Sequence, residues 1–96
     1  SNPIHPGELI KDEIEYRGIS QRKLALQMGV SPTLLNEILN GKRSVSTGYA
    51  LWFEAALGID AEVWIRQQAR YDMQMAKSDI SFLERLAHIR KIAAVL

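Results

Sequence analysis

Two short helices joined by a tight turn are predicted by residues 20–39, SQRKLALQMGVSPTLLNEIL. Ser20 and Ser31 stand where an N-cap residue accepts a hydrogen bond from the first turn of a helix. Pro32 suits the first helical position, because its missing N–H is not needed there. Gly29 supplies the positive φ that a turn of three to four residues requires. The stretch therefore has the pattern of a helix, a tight turn and a second helix.

The apolar residues of this stretch are spaced to pack the two helices against each other. The inward-facing positions are Leu24, Met28, Val30, Leu35 and Ile38. Ala25 is small at the point where the helices cross closely. This spacing is typical of a helix-turn-helix, whose second helix enters the major groove of DNA. An αα-hairpin of the same geometry without a DNA role is the alternative.

Further helices are predicted by apolar periodicity and by single punctuating residues. The predicted segments are Glu8–Arg17, Gln21–Met28, a helix from Pro32 to Asn40-Gly41, Thr47–Leu57, Ala61 to about Ala76, and about Ile80–Val95. Thr47–Leu57 is apolar nearly all round and is expected to lie centrally in the core, with Trp52 and Trp64 as packing anchors. No segment alternates with a period of two for long enough to form a strand. The predicted fold class is all-α, with five to six helices.

The composition excludes several classes of protein. With 96 residues, 47% hydrophobic and 24% charged, the chain is expected to form one ordered globular domain. It has no cysteine, which excludes disulfides, thiol nucleophiles and thiolate-bound zinc. No apolar run approaches the ~20 residues of a membrane span, and no signal-peptide pattern opens the chain. We therefore expect a cytoplasmic protein without a membrane partner.

Catalytic and metal-binding constellations are not found in the sequence. His5 is expected to be a turn or capping residue, and His88 lies far from it along the chain. The acidic residues Asp12, Glu13 and Glu15 are interpreted as a solvated helix face. A metal site or a catalytic triad needs more ligating or titratable groups than this. We therefore expect no enzyme activity, no small-molecule substrate and no cofactor.

The net charge of +1, from 12 Lys and Arg against 11 Asp and Glu, does not by itself suggest a nucleic-acid partner. The charges are unevenly distributed, however, because acidic residues crowd the first predicted helix. The basic residues that could contact a DNA backbone are Arg17, Arg22, Lys23, Lys42 and Arg43. DNA binding responds to positive charge on one face, so a net charge near zero does not exclude it.

The order of the short motifs resembles a known family. The chain resembles the Xre/phage-repressor family of helix-turn-helix regulators at Ser20-Gln21, Leu24-Ala25, Gly29-Val30-Ser31, Ile38 and Asn40-Gly41-Lys42-Arg43. Three flanking features resemble the HigA/VapI-type antitoxins of type II toxin–antitoxin operons. They are His5-Pro6-Gly7-Glu8-Leu9, Ala50-Leu51 before Leu57-Gly58, and Trp64-Ile65 followed by Gln68 and Tyr71-Asp72-Met73. The resemblance covers about residues 5–75.

This resemblance implies a lambda-repressor-like domain over residues 5–76. Outside it, the periodicity of residues 77–96 predicts an extra C-terminal amphipathic helix. The resemblance implies a homodimer that binds its own operator in double-stranded DNA and represses its operon. It also implies a cognate toxin partner, which in this family is typically a RelE-fold ribosome-dependent mRNA endonuclease. One alternative is a phage- or host-type Xre repressor without a toxin partner. Another is a protein-interaction module that has lost operator binding.

Matched position by position, the resemblance also assigns the DNA contacts. The residues placed near base edges are Pro32, Thr33, Leu34, Asn36 and Glu37. Those placed near phosphates are Ser20, Gln21, Asn40, Lys42 and Arg43, and the predicted set is completed by Arg22 and Ser31. Two of these positions depart from related antitoxins, which often carry arginine or another long polar residue there. Pro32 has no hydrogen-bonding side chain, and Glu37 repels phosphate unless it accepts from a cytosine amine.

An apolar stripe about two heptads long runs along the last predicted helix, and its opposite face is charged. The stripe consists of Phe82, Leu86, Ile89, Ala93 and Leu96. Two heptads are too few for a stable free coiled coil, so we expect the stripe to be covered. Three alternatives are that the helix covers its own core, that it forms a homodimer contact, or that it binds a toxin. The predicted dimer or partner contacts are Trp64, Tyr71, Phe82, Leu86, Ile89 and Ala93.

Overall fold

The computed structural model describes residues 2–96, and this part of the chain contains six helices and no strand. The helices are α1 (Pro6–Arg17), α2 (Gln21–Met28), α3 (Pro32–Leu39), α4 (Thr47–Leu57), α5 (Ala61–Lys77) and α6 (Ile80–Ala93). The all-α fold class is therefore confirmed. Within residues 2–96, no helix has the length and apolar character that crossing a bilayer requires.

The core lies between the first five helices. α1 packs against α3 and α5, α2 packs against α3 and α4, and α4 packs against α5. The largest fully buried side chains are Phe53, Ile10, Ile14, Leu24, Leu35, Ile38, Leu39 and Pro6. Because α2 and α3 each bury only their inner face in this core, the outer face of α3 is left at the surface.

Local capping sets the boundaries of the helices that form the helix-turn-helix. The Ser20 hydroxyl accepts a hydrogen bond from the Lys23 N–H at 3.1 Å, which begins α2. Gly29, with φ of 71°, ends α2 in the left-handed region. The N–H of Val30 then donates to the Ala25 carbonyl at 3.0 Å and closes the turn. The tight turn predicted from the sequence is present.

α1 approaches α3 closely at Gly7. A β-carbon at this position would overlap the carbonyl oxygen of Ile38 and lie 2.9 Å from its carbonyl carbon. Pro6 occupies the first helical position, and His5 caps the helix by accepting from the Gly7 N–H. This close contact fixes the N-terminus of α1 against the C-terminal end of α3.

The prediction that α4 lies centrally in the core, with Trp52 as an anchor, is only partly correct. Ala50, Phe53 and Leu57 are buried, but Trp52 is 44% exposed. α2 and α5 pack against α4, and Trp52 lines an open cavity with Gln27 and Met28 of α2. The Trp52 ring packs against Tyr49, with ring centroids 5.4 Å apart.

α6 does not cover the core of its own chain. None of its residues is buried, and its packing is mainly against α5. The described residues extend over 56 × 22 × 21 Å with a radius of gyration of 17.0 Å, whereas a compact chain of this length has about 12–13 Å. α5 runs on for 17 residues, so its C-terminal end carries α6 away from the body. Of the three alternatives for this helix, the structure does not show the one in which it folds back.

Candidate nucleic-acid interface

The outer face of α3 forms the centre of the candidate interface. The Ser31 hydroxyl accepts from the Leu34 N–H at 3.1 Å and caps the helix. Pro32, Thr33 and Asn36 are exposed, and Leu34 is half-buried. These residues occupy the N-terminal part of the second helix of the motif, which is the part that meets base edges in this class of DNA-binding structure.

A chain of side-chain amides links α2 to the outer face of α3. The Asn36 Nδ2 donates to Gln21 Oε1 at 3.1 Å. The Asn40 Nδ2 donates to Asn36 Oδ1 at 3.0 Å. Three residues that were assigned separately to bases and phosphates are therefore joined into one exposed network. This network fixes the orientation of the Asn36 amide. An asparagine amide can pair with adenine, and Asn36 must give up these hydrogen bonds to do so.

Glu37 is paired with Arg43. The Arg43 Nε lies 3.4 Å from Glu37 Oε1, and both side chains remain partly exposed. The pair balances the negative charge that the sequence places on the recognition face. It also occupies Arg43, so a contact from this arginine to phosphate requires its other guanidinium nitrogens or a break in the pair.

The remaining basic residues of the predicted set differ in their availability. Lys42, Arg22 and Lys23 are exposed, and none of them forms an ion pair within residues 2–96. Arg17 is engaged, because its Nη1 donates to the Leu57 carbonyl at 2.8 Å and its Nε pairs with Glu13. Arg17 therefore caps α4 and is not placed as a DNA contact.

His5 is a buried capping residue, as expected from the sequence. Its Nδ1 accepts from the Gly7 N–H at 2.9 Å, and its ring packs edge-to-face on Tyr71 with centroids 5.0 Å apart. Burial lowers the pKa of His5 below its ordinary value, although Glu8, the Arg43 backbone and Asp72 act in the opposite direction. Among the described residues, no group of three or more His, Cys, Asp and Glu side chains could hold a metal ion.

The residues predicted to form a dimer or partner contact fall into two separate groups, one on α5 and one on α6. Trp64 is 4% exposed and belongs to the core, which leaves little of its surface for a partner. Tyr71 is half-buried against His5. On α6, Leu86 is half-buried, and Phe82, Ile89 and Ala93 are exposed. Leu96, the last member of the stripe, lies beyond the end of α6 and is exposed as well. Only the α6 residues form an accessible surface.

Gln68 was not assigned a role from the sequence, although it holds the loop that carries Lys42 and Arg43. Its Oε1 accepts from the Val45 N–H at 2.8 Å, and it is buried. The available signal was its spacing from Ala61 and Trp64, which puts a polar residue on the buried face of α5.

These features define a small helical domain with an accessible helix-turn-helix. The family model for the helix-turn-helix matches residues 10–64. Virulence-associated protein I of Dichelobacter nodosus is 38% identical over 77 residues, which is 79% of this chain and 71% of that protein. The chain belongs to the helix-turn-helix family of Xre type, within the group that contains the HigA antitoxins.

Two solved structures extend the similarity to three dimensions. An addiction module antidote protein of the HigA family from Coxiella burnetii has 34% identity and a TM-score of 0.74, over 79% of this chain and 84% of that one. Antitoxin HigA of Pseudomonas aeruginosa, solved with the higBA promoter, has 28% identity and a TM-score of 0.81, over 91% of this chain and 94% of that one. The family resemblance described from the sequence is confirmed.

Proposed function

We propose that this chain is an antitoxin that binds the operator of its own operon, represses that operon and neutralises a cognate toxin of the RelE-fold mRNA endonuclease class. The observation that carries the DNA part is the exposed outer face of α3, with Lys42 and Arg43 on the loop that follows it. Similarity to an antitoxin solved with promoter DNA supports the same function. Operator binding also agrees with a cytoplasmic location.

Operator binding is tested by titrating the full chain against DNA from upstream of its gene, with an unrelated duplex as the competitor. Because DNA binding releases counterions, the affinity of the full chain should fall steeply with salt. The double variant Lys42→Ala/Arg43→Ala should reduce the slope of log affinity against log salt by about 0.9 for each lost phosphate contact. Arg66→Ala/Lys77→Ala on α5 removes the same charge elsewhere and serves as the control. Equal effects of the two double variants would contradict the placement of the interface.

Toxin neutralisation needs a separate experiment. The small basic protein encoded beside this gene should copurify with the chain and lose its mRNA cleavage activity in the complex. A chain that binds its operator but has no such neighbour would be an Xre repressor without a toxin. A chain that binds the neighbour but not DNA would be an interaction module that has lost operator binding.

We also propose that α6 provides the homodimer contact. The described chain exposes 6773 Å², while a compact monomer of 10.9 kDa exposes about 5,600 Å². The excess is more than the ~800 Å² that each partner buries in a standard interface. A dimer through α6 would also supply the two recognition helices that a two-fold operator requires, about 34 Å apart.

The dimer contact is tested by measuring molar mass in solution with light scattering. Ile89→Asp places a charge on the apolar stripe of α6 and should shift the dimer to monomer at micromolar concentration. Ala87→Asp adds the same charge off the stripe and should leave the dimer intact. A monomeric mass for the unmodified chain, or equal effects of the two variants, would contradict this contact.

A further inference from the structure

Two polar side chains, His5 and Gln68, are buried within the described part of the chain, at 4% and 7% exposure. Both contact the same segment, residues 40–46, which we call the α3–α4 loop. This loop carries Lys42 and Arg43 and is otherwise largely exposed. Burying a polar group is unfavourable unless its hydrogen bonds are replaced. Their common contact with one exposed loop therefore points to a role for that loop.

The ring of His5 holds the first part of the α3–α4 loop. A β-carbon added to Gly41 would lie 3.4 Å from His5 Cγ, so the ring is packed directly on the Gly41 backbone. The Arg43 backbone lies near enough to the same ring to raise the pKa of His5 against the effect of burial. On the other side, the ring meets Tyr71 of α5 and receives the Gly7 N–H of α1. His5 thus ties the loop to two helices of the core.

Gln68 holds the last part of the loop. Its Oε1 accepts from the Val45 N–H at 2.8 Å, while its Nε2 donates to Asp72 Oδ1 at 2.9 Å. The bond to Asp72 fixes which end of the amide faces the loop, because a carboxylate can only accept. The Val45 side chain is buried in the core directly beside this bond. The loop is therefore held at two points on either side of its basic residues.

We infer that His5 and Gln68 are positioning residues for DNA binding, which hold the α3–α4 loop so that Lys42 and Arg43 stand at a fixed place beside α3. This inference rests on the proposed operator binding. A free loop would lose conformational entropy when its cations meet phosphates, and a loop that is already ordered avoids that loss. Neither residue needs to touch DNA itself.

The test measures the effects of substituting the two positioning residues, first in the unmodified chain and then in the Lys42→Ala/Arg43→Ala double variant. His5→Asn retains an N-cap acceptor for α1 but removes the ring, and Gln68→Leu retains bulk but removes both hydrogen bonds. His88→Asn and Gln74→Leu are matched controls, because those residues do not contact the loop. Each positioning variant should weaken operator binding by the folded protein about 10-fold, a size typical of coupled contacts. In the Lys42→Ala/Arg43→Ala background the same variants should have less than about a 2-fold effect.

A loss of affinity of the same size in both backgrounds would show that the two residues act only through general stability, and would overturn the inference. Amide hydrogen exchange in the free protein gives an independent readout. The Val45 amide should lose protection in Gln68→Leu while the amides of the α2 helix keep theirs. Failure of Lys42→Ala/Arg43→Ala to weaken binding would remove the DNA role of the loop from the proposed function. The inference would then fall as well, even if the Val45 amide lost protection in Gln68→Leu. If Lys42→Ala/Arg43→Ala does weaken binding but the Val45 amide stays protected in Gln68→Leu, the inference alone is overturned.

Discussion

The close approach of α1 to α3 allows a direct comparison between two glycines in the same helical position. Gly7 and Gly48 each follow the first residue of their helix. A β-carbon at Gly7 would overlap the backbone of Ile38, which cannot rotate away, while one at Gly48 would meet only the Ser46 hydroxyl at 3.9 Å. Alanine favours a helix over glycine by up to about 1 kcal/mol. Overpacking against fixed atoms costs about 1–3 kcal/mol and sometimes more.

We therefore expect Gly48→Ala to raise the free energy of unfolding slightly and Gly7→Ala to lower it. The two variants should differ by about 1–3 kcal/mol, which is the overpacking cost alone, because both substitutions gain the same helix preference. At roughly 4–8 °C per kcal/mol for a domain of this size, their midpoints should differ by about 5–25 °C. Thermal unfolding followed by circular dichroism measures this directly. Shifts of the same sign and size would refute the close contact between Gly7 and Ile38.

Three further predictions concern charge and hydrogen bonding. Glu37→Gln should free Arg43 from its ion pair and raise the salt slope of operator binding by about 0.9, because the freed arginine gains a phosphate contact. An unchanged slope in a salt titration would show that the pair with Glu37 does not keep Arg43 from the DNA backbone. Arg17→Met should lower the free energy of unfolding by about 1 kcal/mol, because it leaves the carbonyl at the end of α4 without its donor. Arg66→Met, in a largely exposed ion pair, should change the free energy of unfolding by less than about 0.5 kcal/mol, as measured by urea unfolding. His5 has a lowered pKa in the folded state, so its contribution to the free energy of unfolding is complete above the ordinary histidine pKa of 6.5 and is lost as the pH falls from there toward the folded-state pKa. Unfolding measured between pH 7 and 5 should show this loss of stability in the unmodified chain, and His5→Asn should show less of it.

The helix-turn-helix was predictable because its signals are local. Serine caps, a proline at the first helical position and a glycine at the turn act within a few residues of their own place in the chain. The bounds of α2 and α4 accordingly match the prediction, and α3 begins at Pro32 as expected. The exposure of Pro32, Thr33 and Asn36 also follows from this periodicity, because apolar residues occupy the opposite face of the helix.

The misjudged features depend on which element covers which surface. Trp52 lies in a helix that is apolar nearly all round, yet it lines an open cavity beside the end of α2 and stays partly exposed. The sequence shows that α6 is amphipathic, but the length of α5 determines where α6 is placed. The pairs Glu37–Arg43 and Gln68–Val45 depend on the path of the α3–α4 loop, which carries no periodic signal. Spacing in the sequence cannot provide such contacts.

The candidate interface is largely bonded to itself, and this determines how it would distinguish one DNA sequence from another. Asn36 and Glu37 already have partners in Asn40, Gln21 and Arg43. A base or phosphate contact must replace those bonds, and the net gain from exchanging one hydrogen bond for another is small. A base that cannot offer the replacement leaves a desolvated polar group without a partner, which is the larger effect. We therefore expect this face to reject mismatched sequences more strongly than it attracts the correct one, with Lys42 providing much of the affinity that is common to all sequences.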